Sequence, residues 1–236
     1  MKILLLGDSI RMGYGEHVAK LMEGKAQVFY PRDNGRFLQY TLRELQDWKW
    51  NLHLQDGVDV VHWNNGLWDV GHLGAGSGAT GEAEAATAQP TIHAGHYEYE
   101  KENLTPPAIY EYMLGRVHQR IRNLFPTAKI IFAYTTSVLE DQSPDFLYRS
   151  NAEIREYNAI ARRVLEPEGV AFNDLYTFSE ERLKGLHRDM VHFRHVEEGM
   201  DLPYDLAGKA IFHPAVADDD VSRWLVPETT VVVSSA

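Results

Sequence analysis

The chain has 236 residues, 44% of them hydrophobic and 24% charged, which is the composition of an ordinary globular protein. Its 34 acidic and 23 basic residues give a formal net charge of -11, which argues against nucleic acid or an anionic membrane surface as a partner. No cysteine is present, so disulfides, thiolate metal sites and cysteine nucleophiles are excluded. No apolar run approaches the roughly 20 residues of a membrane span, and we expect a cytoplasmic protein.

Short apolar runs alternate with amphipathic stretches along the chain, a pattern typical of a parallel sheet with helices on its faces. The apolar runs predict strands over residues 2–6, 26–31, 58–63, 128–136 and 170–176. The amphipathic stretches predict helices over 11–23, 37–52, 109–125 and 151–165, a further helix within 204–225 and an edge strand over 229–233. Neither a repeat nor a linker interrupts this pattern, so we expect one domain over residues 1–236.

The segment 71–107 differs from the rest because it is rich in glycine and alanine. A connection of this length inside a compact domain is usually functional or disordered. It follows the carboxyl end of a predicted strand, where open α/β sheets bind their ligands. We therefore expect an insertion that forms a lid or rim beside the functional site.

Ser9 lies between the first predicted strand and the first predicted helix, within "LLLGDSIRMGYG". At such a turn a serine hydroxyl is exposed at the sheet edge, and the helix N-terminus behind it favours negative charge. Serine is also a common N-cap residue. The position by itself therefore fits either a nucleophile or a helix cap.

A base for Ser9 is available far along the chain, in "HRDMVHF". A serine nucleophile needs an imidazole base, which in turn needs an orienting acid. His192, with Asp189 three residues before it, fits these two roles. His187, Asp189, His192 and His195 also fit a metal-ligand cluster, although their spacing does not suit one helix face.

Amide and backbone N–H donors follow the second and third predicted strands. Asn64 and Asn65 come directly after the third strand in "VVHWNNGLWD", and Gly35 follows the second in "RDNGR". Because the carboxyl ends of parallel strands meet at one edge of a sheet, these donors can surround an oxyanion formed at Ser9. Each motif by itself also fits an ordinary turn.

Three larger side chains near these motifs are candidates for substrate binding. Trp63 and Trp68 flank the asparagine pair and can form an apolar or sugar-stacking wall, although core packing is the simpler interpretation. Arg11, in the first predicted helix, can bind an anionic group of the substrate or pair with Asp69.

Four blocks in chain order, "LLLGDSI", "NGR", "VVHWNNGLWD" and "DMVH", resemble the SGNH/GDSL hydrolase family in its bacterial serine esterase branch. The resemblance covers most of the chain except residues 71–107 and 194–205. It implies a flavodoxin-like fold, a three-layer α/β/α sandwich around a five-stranded parallel sheet.

Carried over by position, the resemblance implies Ser9 as the nucleophile, His192 as its base and Asp189 as the orienting acid. It implies oxyanion donors from the backbone of Ser9, from Gly35 and from one asparagine of the pair. It requires neither a metal nor an organic cofactor.

The third block departs from the family pattern Gly-x-Asn-Asp, because its order here is "NNGLWD". Counted from the end of the strand, Asn64 is favoured over Asn65 as the oxyanion donor. Counted from Gly66, Trp68 would occupy the place of the asparagine. The second block, "NGRFLQ", lacks a later glycine, so either Gly35 or the residue after it can supply the N–H.

We therefore expect a serine esterase that hydrolyses short acyl esters, above all acetyl groups on carbohydrate, through an acyl-enzyme. Its expected partner is a small-molecule or carbohydrate ester, and a homo-oligomer is compatible with the sequence. Three other functions stay open: an acyltransferase on the same scaffold, a metal-dependent hydrolase using the 187–195 cluster, and a binding protein without catalysis.

Overall fold

The computed structural model describes residues 1–73, 103–142 and 147–193. Their seven strands are β1 (Lys2–Leu6), β2 (Gln27–Phe29), β3 (Val60–Trp63), β4 (His72–Leu73), β5 (Lys129–Ala133), β6 (Leu147–Tyr148) and β7 (Ala171–Asn173). Five of them form one parallel sheet in the order β2-β1-β3-β5-β7. The winding reverses between β1 and β3, so a ligand crevice is expected beyond the carboxyl ends of these two strands.

Five α-helices connect or follow the strands in the described residues. They are α1 (Ser9–Leu21), α2 (Leu38–Asn51), α3 (Pro107–Leu124), α4 (Asn151–Leu165) and α5 (Leu175–Arg182). Pro107 opens α3, where its missing N–H costs nothing. Ser150 caps α4, since its hydroxyl accepts a hydrogen bond from the backbone N–H of Glu153 at 3.2 Å.

The helices cover the two faces of the sheet, which makes three layers. Along β1, Leu4 and Leu6 pack with buried residues of α2, α3 and α4 in one core cluster. Ile3 and Leu5 point to the other face and pack with residues of α1 and α5. The alternation follows from the two-residue period of a strand. The predicted α/β/α sandwich with a five-stranded parallel sheet is confirmed.

Most predicted elements occur close to their predicted bounds, and β1 and α4 match them. The strand predicted over 170–176 was wrong at its end, because β7 stops at Asn173 and α5 begins at Leu175. The carboxylate of Asp174 caps that helix by accepting the backbone N–H of Thr177 at 2.9 Å. The helix predicted within 204–225 and the strand over 229–233 lie outside the described residues.

The two ends of the predicted insertion 71–107 are described, whereas 74–102 lie outside the described residues. β4 pairs in antiparallel fashion with β6, and His72 forms an isolated bridge with Asn103. His72 Nε2 also lies 2.7 Å from Oε1 of Glu153 on α4. The prediction of a lid or rim stays a prediction.

Among the helices described, none combines the length and the apolar composition that crossing a membrane requires.

Candidate active site

The carboxyl ends of β1 and β3 are in tight contact at Gly7. This residue has a φ of +149°, and a Cβ built on it would lie 1.7 Å from Oδ1 of Asn64. Any side chain would therefore displace the asparagine that follows β3. Glycine in the "GDS" segment is required by this approach of two strand ends.

Asp8, and not Ser9, is the N-cap of α1. Its carboxylate oxygen Oδ1 accepts a hydrogen bond from the backbone N–H of Ile10 at 3.0 Å. Ser9 is the first residue of the helix, so its hydroxyl is not needed as a cap. Of the two interpretations of Ser9, the helix cap is excluded by this geometry.

Ser9 meets a histidine that lies 183 positions later in the chain. Its Oγ is 2.8 Å from Nε2 of His192, and Nδ1 of His192 is 2.9 Å from each carboxylate oxygen of Asp189. These are hydrogen-bond distances along a chain of hydroxyl, imidazole and carboxylate. Such a chain allows the imidazole to take the serine proton while the carboxylate fixes the ring.

The carboxylate of Asp189 is held by the backbone of its own turn. Oδ1 accepts the backbone N–H groups of Val191 at 3.0 Å and His192 at 2.9 Å. Partial burial would raise the pKa of Asp189, but these two hydrogen bonds and the His192 ring outweigh it and lower the pKa to about 2. Asp189 is therefore ionised throughout the neutral range and can act only as an acceptor.

Two further backbone contacts fix the turn that carries the histidine. The N–H of Arg188 donates to the carbonyl of His192 at 2.7 Å, which closes the turn. The N–H of Leu139, after β5, donates to the carbonyl of Met190 at 2.9 Å. The imidazole is thus anchored to the central sheet at the same edge as Ser9.

Two groups beside Ser9 are suited to bind an oxyanion. The backbone N–H of Ser9 has no acceptor among the described residues, as expected in the first turn of a helix. Nδ2 of Asn64 donates to Oδ1 of Asp8 at 3.3 Å, and an amide nitrogen has a second hydrogen to donate. Asn64 is the member of the asparagine pair that lies against Gly7 and Asp8.

The backbone N–H of Gly35 is not the free donor that the resemblance implies, and Asn65 binds the neighbouring loop with one of its two amide hydrogens. The N–H of Gly35 donates to the carbonyl of Gly7 at 2.9 Å, and a Cβ on Gly35 would come within 2.6 Å of that oxygen. The amide nitrogen of Asn65 donates to the carbonyl of Arg36 at 2.8 Å. Both residues join the loops around the site, because their donors are used by backbone carbonyls. The N–H of Arg36 is engaged as well, by Oδ1 of Asn34 at 2.8 Å.

Two of the three residues expected to bind substrate are buried in the structure. Arg11 is 2% exposed and donates to the backbone carbonyls of Pro31 at 2.8 Å, Gly7 and Asp33. It holds the loop after β2 against the end of β1, and no ion pair with Asp69 is found among the described residues. These contacts give Arg11 a structural role, and its binding of an anionic substrate group stays a prediction.

Trp63 is fully buried and belongs to the core. Its ring packs edge-to-face on Phe132 with centroids 4.9 Å apart, and its Nε1 donates to Oδ1 of Asn65 at 2.6 Å. These contacts favour core packing, the simpler of the two interpretations of Trp63. Trp68 is half-buried, so part of its ring stays accessible.

The structure gives the metal alternative no support within residues 1–73, 103–142 and 147–193, where no group of three candidate ligands is close enough to hold an ion. His187 packs on the ring of Phe193, with centroids 4.4 Å apart, and burial lowers the pKa of its imidazole. His192 binds Asp189 through Nδ1 and Ser9 through Nε2. His195 lies outside the described residues.

Comparisons with known proteins were made with the sequence and with the fold. Protein-family models and curated protein sequences gave no match. A lipase/acylhydrolase from Enterococcus faecalis superposes with a TM-score of 0.59 at 18% identity, over 89% of this chain and 92% of its own. A GDSL-like lipase from Bacteroides thetaiotaomicron gives a TM-score of 0.53 at 15% identity, over 89% and 87%. An acetylxylan esterase from Geobacillus stearothermophilus gives a TM-score of 0.51 at 17% identity, over 96% and 94%.

The chain has the SGNH/GDSL hydrolase fold. The resemblance found in the four sequence blocks is confirmed at this level. The identities are below 20%, so the likeness is one of fold alone.

Two buried charged residues near the site, Asp8 and Arg149, were not predicted from the sequence. Asp8 is fully buried beside the serine, and its place in "GDS" before a helix was a cap signal that could have identified it. Arg149 directly follows β6 and is 4% exposed. Its side chain donates to the carbonyl of Leu67 and lies close enough to Asp8 for the two charges to interact. No local pattern marks Arg149, since its neighbours come from distant parts of the chain.

Proposed function

We propose that the chain is a serine ester hydrolase with Ser9 as its nucleophile. The observation that carries the proposal is the 2.8 Å contact between Ser9 Oγ and His192 Nε2, with Asp189 on the other ring nitrogen. A hydroxyl without a cap function, an imidazole and an ionised carboxylate in this order match the requirements of acyl transfer. The SGNH/GDSL fold adds support, because the similar structures carry the names lipase, acylhydrolase and acetylxylan esterase.

The proposed reaction begins when His192 Nε2 takes the proton of Ser9 and the oxygen attacks the ester carbonyl. Asp189 accepts from Nδ1–H, which fixes the tautomer with an unprotonated Nε2 and stabilises the imidazolium that forms. His192 then returns the proton to the departing alcohol, leaving an acyl group on Ser9. Water enters by the same steps, and the carboxylic acid is released.

The negative charge of the tetrahedral intermediate needs donors, and two are proposed. The backbone N–H of Ser9 points from the first turn of α1, where the helix dipole favours an anion. Nδ2 of Asn64 is the second. Since Gly35 donates to Gly7, the proposed oxyanion site has fewer ready donors than the resemblance implies.

For the substrate we propose a short acyl ester, with an acetyl group on carbohydrate as the first candidate. One of the similar structures is an acetylxylan esterase, and the partly exposed ring of Trp68 can stack on a sugar. Neither a metal nor an organic cofactor takes part in the proposed steps.

The nucleophile is tested with a fluorophosphonate probe and mass spectrometry of the labelled peptide. We expect labelling at Ser9, its loss in Ser9→Ala, and a loss of several orders of magnitude in the rate of p-nitrophenyl acetate hydrolysis in His192→Ala. Treatment with EDTA should leave the rate unchanged. Labelling that persists in Ser9→Ala would overturn the assignment.

The substrate is tested with two sets of esters. One is a p-nitrophenyl series from acetate to octanoate, in which kcat/KM should fall as the acyl chain lengthens. The other compares acetylated xylooligosaccharides with p-nitrophenyl acetate, with acetate release as the readout. A preference for long chains would contradict the short-acyl proposal, and product analysis with an added sugar acceptor separates hydrolysis from acyl transfer.

A further inference from the structure

Asp8 lies between Ser9 and Asn64, although the proposed reaction gives it no step. Its side chain is fully buried. Oδ1 accepts two hydrogen bonds, from the backbone N–H of Ile10 at 3.0 Å and from Nδ2 of Asn64 at 3.3 Å. The hydrogen bond from Asn64 bears on the oxyanion site, because Asn64 is one of its two proposed donors.

An asparagine side chain can bind with its nitrogen or its oxygen turned to a given neighbour. In this structure Oδ1 of Asn64 faces Gly7 and Nδ2 faces Asp8. Oδ1 of Asp8 already accepts the N–H of Ile10, so a flipped amide would place its own oxygen against another acceptor and lose the hydrogen bond. Asp8 therefore selects the orientation in which the amide nitrogen of Asn64, and not its oxygen, faces Asp8.

The pKa of Asp8 is raised from its ordinary value, because burial outweighs the groups around the carboxyl. The hydrogen bonds from Ile10 and Asn64 and the charges of Arg149 and Arg11 offset only part of this rise. Both arginines are themselves buried. The selection of the amide orientation therefore rests on Oδ1, which accepts the N–H of Ile10, and does not require an ionised carboxylate.

We propose that Asp8 is a positioning residue that holds the amide nitrogen of Asn64 toward the oxyanion formed at Ser9. The inference rests on the proposed function and adds a task to a residue that also caps α1. The two tasks are separable, because an asparagine caps a helix as well as an aspartate does. An asparagine at position 8 presents either its oxygen or its nitrogen to Asn64, and the selection is lost.

The test is a double-mutant cycle on p-nitrophenyl acetate hydrolysis, with Asp8→Asn and Asn64→Ala made singly and together. We expect Asn64→Ala to lower kcat about 100-fold, as the loss of one oxyanion donor does. Asp8→Asn should lower kcat about tenfold or more with KM changed less than about twofold. In the Asn64→Ala background, Asp8→Asn should change kcat by less than about threefold.

Asp174→Asn is the control for loss of charge at a capping aspartate, since Asp174 caps α5 through the N–H of Thr177 and takes no part in the site. It should leave kcat unchanged. An equal effect of Asp8→Asn in both backgrounds would assign Asp8 to the fold alone and overturn the inference. Absence of Ser9 labelling by the fluorophosphonate in the unaltered protein would overturn the proposed function and the inference with it.

A measurement on the unaltered protein covers the case in which Asp8→Asn does not fold. The side-chain NH2 signals of Asn64 can be assigned in a ¹⁵N spectrum by their disappearance in Asn64→Ala. After phosphonylation of Ser9, one of the two protons should shift strongly and the other, bound to Asp8, should shift little. Two small shifts would contradict the proposal, because the amide would then not face the anionic oxygen.

Discussion

Asp8 caps helix α1, and the adjacent Ser9 contacts His192 with its hydroxyl. The carboxylate of Asp8 takes the backbone N–H of Ile10 at 3.0 Å, and the hydroxyl of Ser9 lies 2.8 Å from His192. A serine used as an N-cap would have its oxygen turned to the helix backbone. The neighbouring acid therefore leaves the serine oxygen available to the imidazole.

Two serines at helix starts should consequently behave in opposite ways when changed to alanine. Ser9→Ala should abolish ester hydrolysis and alter the free energy of unfolding by less than about 0.5 kcal/mol, because the cap remains. Ser150→Ala removes the cap of α4 and should cost about 1 kcal/mol with kcat unchanged. Urea unfolding and kcat for both variants check this; a stability loss in Ser9→Ala as large as in Ser150→Ala would contradict the assignment of the cap to Asp8.

Arg11 should contribute to the stability of the fold and not to the recognition of a charged substrate. A lysine cannot reach the three carbonyl oxygens that the guanidinium binds, so Arg11→Lys should lower the free energy of unfolding by roughly 2 kcal/mol. The ratio of kcat/KM for p-nitrophenyl hemisuccinate and p-nitrophenyl acetate should stay unchanged in the folded variant. A selective loss for the anionic ester would restore Arg11 as a substrate-binding residue.

Because of the buried Asp69, the free energy of unfolding should fall as the pH rises through the weakly acidic range. Burial raises its pKa from 3.8 to about 7, against the hydrogen bond from the N–H of Leu38 at 3.1 Å. The folded protein thus keeps a proton that the unfolded chain releases above about pH 4, and stability falls until about pH 7 and then levels off. Asp69→Asn is neutral at every pH, and its amide oxygen can still accept from Leu38.

Urea unfolding of both proteins between about pH 4 and pH 8 checks the Asp69 prediction. The difference in unfolding free energy should grow in favour of Asp69→Asn across that window, by up to a few kcal/mol. Taking the difference removes the contribution of other buried acids, Asp8 among them. A difference that is independent of pH would show that Asp69 is ionised in the folded protein under all these conditions.

Gly7 should tolerate no side chain, for a reason specific to Asn64. Gly7→Ala would press a methyl group into the amide oxygen and should cost about 3 kcal/mol together with a kcat at least tenfold lower. Gly24→Ala is the control, because Gly24 also has a positive φ, +74°, but has no atom within 4 Å of the added Cβ. Its cost should be about 1 kcal/mol, with kcat unchanged. Equal effects of the two changes would mean that backbone strain and not the contact with Asn64 matters.

The sequence predicted the elements that depend on nearby residues. The apolar run 2–6 and the amphipathic segment 151–165 appear in the structure with the same bounds, because strand and helix periodicity are local properties. Helix α5 was missed because Asp174 was assigned to a strand, although an aspartate directly before an apolar residue, here Leu175, is a helix-start signal. The blocks around Ser9, Asn64 and His192 were correctly taken to meet, since the carboxyl ends of parallel strands share one edge.

The sequence could not show which donors near Ser9 are already used. Gly35 and Asn65 have the residue types expected of oxyanion donors, yet their N–H groups bind carbonyls of Gly7 and Arg36. Those carbonyls belong to other loops, and their positions follow from how the loops pack. The same holds for Trp63, whose burial depends on Phe132 of the neighbouring strand.

The sequence by itself determined the layered α/β fold and the three residues that form the chain of hydroxyl, imidazole and carboxylate. Hydrophobic period, cap residues and the order of motifs depend on residue types that are close together in the chain. The tertiary structure alone decided which donors around Ser9 already bind carbonyl groups and which cations are buried. Hydrogen bonds between distant segments form only when the segments are packed, and each backbone N–H binds its acceptor in that packed arrangement.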